Sequence, residues 1–347
     1  MPLRRGGSVL IVRTPTVRHL VAAGLALTFA PAVGRAAQLA DAAAPPKQTA
    51  WTPPRTPWGD PDLQGIWPSG EMTGVPLQRP ERFGERAVVT DEEFAERQAQ
   101  LVRSYERFVI GAWGEQGKAQ RQASLIVDPP NGRIPPLTPE GQQRSALMKS
   151  SWQYQKLTAT YDGPEDFDTW DRCITRGLLP SMLPAQYNNG MEIYQSPGYV
   201  VIHIEMIHEA RIIPVNGRPH LPPTIKAWLG DSRGHWEGDR LVVETTNFNG
   251  KTAATNPGTS GSPMDNNVPT SESLRIVERF SRVDDDTIDY EATVDDPTIF
   301  TRTWKVAFPL RRNPDYRIYE YACHENNYAL TNFMRASQFQ RAQKPKP

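Results

Sequence analysis

From residue 191 onward the chain is a succession of short segments in which apolar and polar residues alternate, separated by turn sequences. Residues 191–196 (MEIYQS) lead through Pro197-Gly198 into residues 199–214 (YVVIHIEMIHEARIIP). His235-Trp236 and RLVVETT flank Glu237-Gly238-Asp239, which reads as a hairpin loop. Residues 273–282, 287–294, 300–308 and 316–323 follow, divided by acidic or proline-containing turns. In residues 287–294, Ile288, Tyr290, Ala292 and Val294 alternate with Thr287, Asp289, Glu291 and Thr293. A period of two is that of a strand with one face buried. Short turns between successive strands dictate an antiparallel meander, and closure into a barrel would remove its edges. The expected fold is therefore mainly β. It is a calycin- or lipocalin-like antiparallel β-barrel, or a curved meander, over residues 181–347.

Residues 43–180 read as an arm preceding this sheet. WTPPRTPWGDPDLQGIW carries Trp51, Trp58 and Trp67 among its prolines. Proline is frequent throughout, at 33 residues of 347, about twice the usual 5% share. Fixed φ angles and large aromatic rings suit an extended segment wrapped on the body, as plain packing or as one wall of a pocket. Thr90 and Glu93 form a capping box ahead of a helix expected over residues 91–110. Thr138-Pro139-Glu140 starts a second helix expected to reach about Lys156. A helical turn is expected near residues 165–171. Residues 258–267 (GTSGSPMDNN) form a polar loop.

The first 36 residues hold five arginines and no acid, and residues 20–33 form an apolar run followed by small residues. This is the pattern of an export signal, so residues 1–42 are read as a signal peptide and the protein as periplasmic or secreted. The run is short for a membrane span and contains Pro31, so no stable span is expected after its removal. Without those 36 residues, 34 basic residues face 39 acidic ones, a net of −5. That balance argues against a nucleic-acid partner. In an exported chain the two cysteines, Cys173 and Cys323, are most simply one disulfide closing a loop of 150 residues. Two free thiols are the alternative.

Candidate chemistry centres on residues 199–214. Read as one strand, they place Ile202, Ile204, Met206, His208, Ala210 and Ile212 on one face. Val201, His203, Glu205, Ile207, Glu209 and Arg211 take the other. An imidazole on an apolar face is expected to be dry, hence neutral and ready to accept a proton. The expected catalytic set is His208, Glu209, His203, Glu205, Arg233 and His324, with Arg233 or Arg211 stabilising developing negative charge. For Arg211 this needs a bulge near Glu209. Arg211, Asp231, His235, Trp236, Trp304, Tyr319 and Tyr321 are expected to bind substrate, the aromatics lining an apolar pocket.

Two competing motifs are weaker. Gly230-Asp231-Ser232-Arg233-Gly234 matches G-x-S-x-G, but a nucleophile elbow needs a helix after the serine and here a hairpin follows. Its plain reading is a turn in which Asp231 caps backbone amides. His203-x-Glu205-x-x-His208 resembles a metal-ligand spacing, yet on a strand its histidines face opposite ways. No Cys-x-x-Cys is present. No metal and no cofactor are expected. His220, in a proline-rich turn, reads as structural.

PDLQGIW (61–67), IHEARIIP (207–214), GDSRGHWEGDRLVVETTNF (230–248), TVDDP (293–297) and YEYACHENNY (319–328) resemble a widespread group of uncharacterised secreted bacterial β-rich proteins. The resemblance covers most of the chain after the leader. It implies export and a shared β-rich fold, and it implies no substrate and no catalytic residues.

These readings favour an exported enzyme using acid–base chemistry of lyase, dehydratase, isomerase or cyclase type. The expected partner is a hydrophobic or aromatic small molecule. A periplasmic carrier of such a molecule is the alternative, and a serine hydrolase using Ser232 a further one.

Overall fold

Turn chemistry sets the strand pairs. Gly198 (φ 80°) and Gly238 (φ 63°) hold left-handed conformations that a side chain would strain, and each closes a hairpin. The computed structural model describes residues 51–107, 115, 117–151, 160–256, 258–262 and 268–343. The expected signal peptide and the end of the 258–267 loop lie outside the described residues.

The described elements are β1 (Gly65–Ile66), α1 (Asp91–Arg107), β2 (Ile126–Asp128), α2 (Pro139–Leu147), α3 (Leu178–Met182), β3 (Met191–Ser196), β4 (Tyr199–Ile204) and β5 (Glu209–Pro214). They continue with β6 (Asp231–Glu237), β7 (Arg240–Thr246), β8 (Ala253–Thr255), β9 (Val268–Pro269), β10 (Arg275–Asp284), β11 (Thr287–Asp295), β12 (Trp304–Arg311) and α4 (Ala329–Ala342). The fold is mainly β and antiparallel. One sheet has the order β1-β3-β4-β5 and a second β2-β12-β11-β10-β7-β6, while β8 and β9 pair separately. Residues Ala50–Pro347 form one compact unit.

Among the described residues no closed barrel is present, which corrects that form of the expectation. The two sheets approach where β5 passes β6, but no ladder joins them. Gly234 makes the approach possible, since a Cβ there would meet Val215 Cγ1 at 2.8 Å. The sheets instead share one apolar core. Ile193, Val200, Ile202 and Ile213 enter it from the smaller sheet, and Phe280, Tyr290, Val306 and Leu310 from the larger. The alternating residues Ile288, Tyr290, Ala292 and Val294 are all buried, as their period requires.

The arm contributes to both core and edge. Trp67 is fully buried and its indole donates to Leu63 O at 2.8 Å, whereas Trp51 and Trp58 stay exposed. The capping box forms as expected: Thr90 N donates to Glu93 Oε2 at 2.8 Å and Glu93 N to Thr90 Oγ1 at 3.3 Å. Thr138 caps α2, which ends at Leu147, short of Lys156; residues 152–159 lie outside the described residues. The turn expected near 165–171 is a 3-10 helix at Pro164–Asp166.

Two features differ from expectation at the end of the chain. Residues 316–323 form no strand, and a C-terminal helix, α4, follows them. That tail is held by side chains instead of a ladder. Glu205 accepts from Tyr319 N at 3.2 Å and from the Tyr316 hydroxyl at 2.7 Å. The Cys173–Cys323 disulfide, expected from the sequence, is formed. Among the described residues no helix is long and apolar enough to cross a membrane.

Candidate functional site

Residues 199–214 do not run as one strand. The chain breaks at Met206–His208, where Ile207 (φ 63°) and His208 (φ 43°) turn left-handed. A β-branched residue in that region costs about 1–3 kcal/mol and persists only where its surroundings impose it. Here burial does so. Ile207 is 4% exposed and packs with Met206, Trp170 and Ala185, bordered by Tyr187, Tyr321 and Cys323.

The turn makes a hairpin that pairs Ile204 with Glu209 and Ile202 with Arg211. Beyond it the two faces exchange. Glu209 and Arg211 point inward with Ile202 and Ile204, while His208, Ala210 and Ile212 are exposed. The expected burial of His208 is therefore corrected. Its ring is nonetheless fixed: Nδ1 lies 3.2 Å from the Tyr321 carbonyl oxygen. A carbonyl only accepts, so Nδ1 carries the proton and the neutral ring leaves Nε2 bare.

Beneath the turn lies a buried polar layer. Glu209 accepts from Arg176 N at 3.1 Å and Ser181 Oγ at 2.8 Å, and burial raises its carboxyl above the usual range. The Arg176 guanidinium is 3% exposed, lies 5.0 Å from the centre of the Trp170 ring and donates to Asn256 Oδ1 at 3.1 Å. Burial pushes it down to about 10, so it stays charged at neutral pH. Burial also raises the Tyr187 hydroxyl, which hydrogen-bonds Tyr321. Left-handed conformations at Cys173, Asn188, Ile207 and His208 gather in the segments that build this corner.

The structure divides the other expected site residues among separate places. Glu205 is buried and docks the 313–323 tail, also accepting from Asn188 Nδ2 at 2.9 Å. Tyr316 sets its phenol between Glu205 and Glu115, at 2.7 and 2.9 Å, and burial raises its ionisation. Arg211 is placed away from the His208 side of the turn. It lies in the core, bidentate to Glu278 at 3.0 and 2.5 Å, with the Tyr290 hydroxyl 3.0 Å from the same carboxylate. Trp304 is fully buried in the core, and Trp236, half-buried, packs against that core. Tyr319, His235 and His324 are exposed, His235 beside Glu237 at 3.3 Å. His203 is half-buried on the outer side of β4, opposite Glu192 and Ala210.

A second polar cluster surrounds Asp231. Its carboxylate contacts His220 Nδ1 at 2.8 Å, Leu221 N at 3.0 Å and Arg233 Nη1 at 2.7 Å. Arg233 also donates to Pro219 O at 2.9 Å and Ser232 O at 2.8 Å. Its charge is thus held at Asp231, which corrects its expected place beside His208. Ser232 is buried and bonds Thr245 Oγ1 at 2.8 Å. As the next residue on β6 it faces away from Asp231, so the dyad and the serine are not assembled together. Arg176 and the contact of Asp231 with His220, itself read as structural, were not expected from the sequence. His220 meets Asp231 only through a proline-rich loop whose path no periodicity reveals. Arg176 lies between strong turn residues and carries no motif. Among the described residues no group of three or more His, Cys, Asp or Glu side chains is placed to hold a metal.

Compared with known proteins, the chain matches no family model, no curated protein and no solved structure.

Proposed function

We propose that this protein is an exported enzyme that moves a proton on a small hydrophobic or aromatic molecule, with the His208 corner as its site. One observation carries the reading. A strained turn presents His208 with Nδ1 engaged by the Tyr321 carbonyl, leaving Nε2 as the basic atom beside an aromatic cluster. Nε2 takes a proton from a C–H bond of the substrate and becomes imidazolium. The electron pair stays on the substrate as a delocalised carbanion or enolate, and the proton returns from the same ring to a new position or a leaving group. This is the step shared by isomerases, lyases and dehydratases. Arg211 and Arg233 are committed elsewhere, which leaves Arg176 as the cation available to the corner. The disulfide supports an oxidising compartment and hence export.

The test needs no known substrate. A panel of aromatic and hydrophobic molecules is incubated with the protein in D2O, and deuterium entering carbon positions is followed by mass spectrometry. Wild type is expected to label at least one compound, and His208→Gln to label it about 10²–10⁴-fold more slowly with affinity kept within a few-fold. Labelling that is equal in His208→Gln would refute His208 as the base. Binding without labelling would favour the carrier reading instead.

A further inference from the structure

Among the described residues four arginines are buried; Arg282 has its donors occupied and Arg211 its charge matched, while Arg79, Arg176 and Arg211 each keep a buried Nε without a partner. Arg211 holds a carboxylate with two bonds, and Glu278 supplies it. Arg282 donates to three carbonyls, of Asp62, Asp284 and Asp285. Arg79 reaches two, of Pro130 and Gly84. Arg176 has one side-chain acceptor, the neutral amide oxygen of Asn256, and its Nε is buried without a partner. The neighbouring Asn256 Nδ2 is also buried and unpartnered. So are the Thr259 and Ser262 hydroxyls in the next two turns of the chain, where Thr259 N bonds Asn256 O and Ser262 N bonds Thr259 O. A buried charged donor without an acceptor costs more than an ordinary lost hydrogen bond. Orphan groups gathered beside a strained turn mark a place where a ligand supplies what the chain does not.

We infer that the substrate carries a carboxylate, which Arg176 and the Asn256 amide hold, with its apolar or aromatic body against Trp170 and Tyr187. This rests on the site proposed above and narrows its substrate class. Donor chemistry and charge select the group. Arginine and a side-chain amide offer planar N–H donors that match a carboxylate. Glu209 and Asp168 already lie in the field of this single guanidinium, so a doubly charged phosphate is disfavoured beside it. A carboxylate conjugated to the reacting carbon also accounts for the proton chemistry. The electron pair left on the substrate when His208 takes the proton spreads onto carboxylate oxygens facing the buried Arg176 cation.

Calorimetry with benzoate, phenylacetate and cinnamate, each against its neutral amide, tests this by binding alone. Wild type is expected to prefer at least one carboxylate by tenfold or more, and Arg176→Gln to lose that preference. Because Arg176→Gln removes a buried group, Asn256→Asp provides a variant that keeps the fold. Its isosteric carboxylate fills the vacant valence of Arg176 and is expected to abolish carboxylate binding. No preference in wild type, or an undiminished preference in folded Asn256→Asp, would overturn the inference. Carboxylate binding that depends on Arg176 without deuterium exchange would sustain it while removing the His208 base. Exchange confined to neutral compounds would do the reverse.

Discussion

Arg211→Met is the perturbation that separates a core charge from a functional one. Arg211 is 5% exposed and Glu278 0%, and they meet through two bonds of 3.0 and 2.5 Å. Removing the arginine leaves a dry carboxylate with only the Tyr290 hydroxyl as donor, 3.0 Å away. Stranding one partner of such a pair costs about 3–5 kcal/mol. Removing both charges, as in Arg211→Met/Glu278→Leu, leaves a single unpartnered hydroxyl on Tyr290, a cost of about 1–3 kcal/mol. The double variant is therefore more stable than either single one. Urea unfolding at neutral pH, with midpoints compared at constant m, reads this directly. If the two changes simply added, the double variant would lose about 6–10 kcal/mol and stand near the limit of folding. That outcome, or an Arg211→Met loss below about 1 kcal/mol, would refute the account of the pair. Folded Arg211→Met is also expected to keep full deuterium exchange, because its guanidinium faces the core and not the His208 corner.

Two further outcomes concern a buried carboxyl and the disulfide. Burial and the Asp168 carboxylate push Asp171 up to about 7. A raised carboxyl stabilises the fold at low pH and loses that contribution as pH climbs through its folded value, so about 2–3 kcal/mol is expected to disappear between pH 5 and pH 8. Asp171→Asn should flatten that slope in urea midpoints, and an unchanged slope would count against the assignment. Reduction of Cys173–Cys323, which closes a loop across 150 residues, is expected to cost up to about 4–5 kcal/mol. The loss should appear first as hydrogen exchange in residues 313–328 and in the Ile207–His208 turn, and uniform exchange across both sheets would contradict it.

Strands β10, β11 and β12 of the larger sheet were legible because they follow the period of two and are divided by acidic or proline-containing turns, whereas β2, three residues within the arm, was not. The break at Met206–His208 was not. IHIEMIHEARII contains no glycine, proline or Asn-Gly, so alternation continues unbroken through it. The left-handed angles fall on an isoleucine and a histidine, held by a cluster assembled from residues 170, 185, 187 and 321. One such turn exchanged the faces of everything after it, exposing His208 and burying Arg211. The tail at residues 316–323 misled for a related reason. Its alternation of Tyr316, Ile318, Glu320 and Ala322 imitates a strand, but Glu205, the Tyr321 carbonyl and the disulfide fix it without a ladder. Part of this corner was readable, since His208 and Tyr321, both singled out in the sequence, do meet there. Arg176 was not, because no motif marks a guanidinium whose Nε is left without a partner.

The central claim is that His208 presents a bare Nε2, and nitrogen NMR of histidine-labelled protein measures it. His208→Gln identifies the resonances by their loss. At alkaline pH a protonated Nδ1 and an unprotonated Nε2 are expected at His208, with the pattern retained when a carboxylate ligand binds. A protonated Nε2 with a bare Nδ1 would contradict the Tyr321 contact and remove the base from the site.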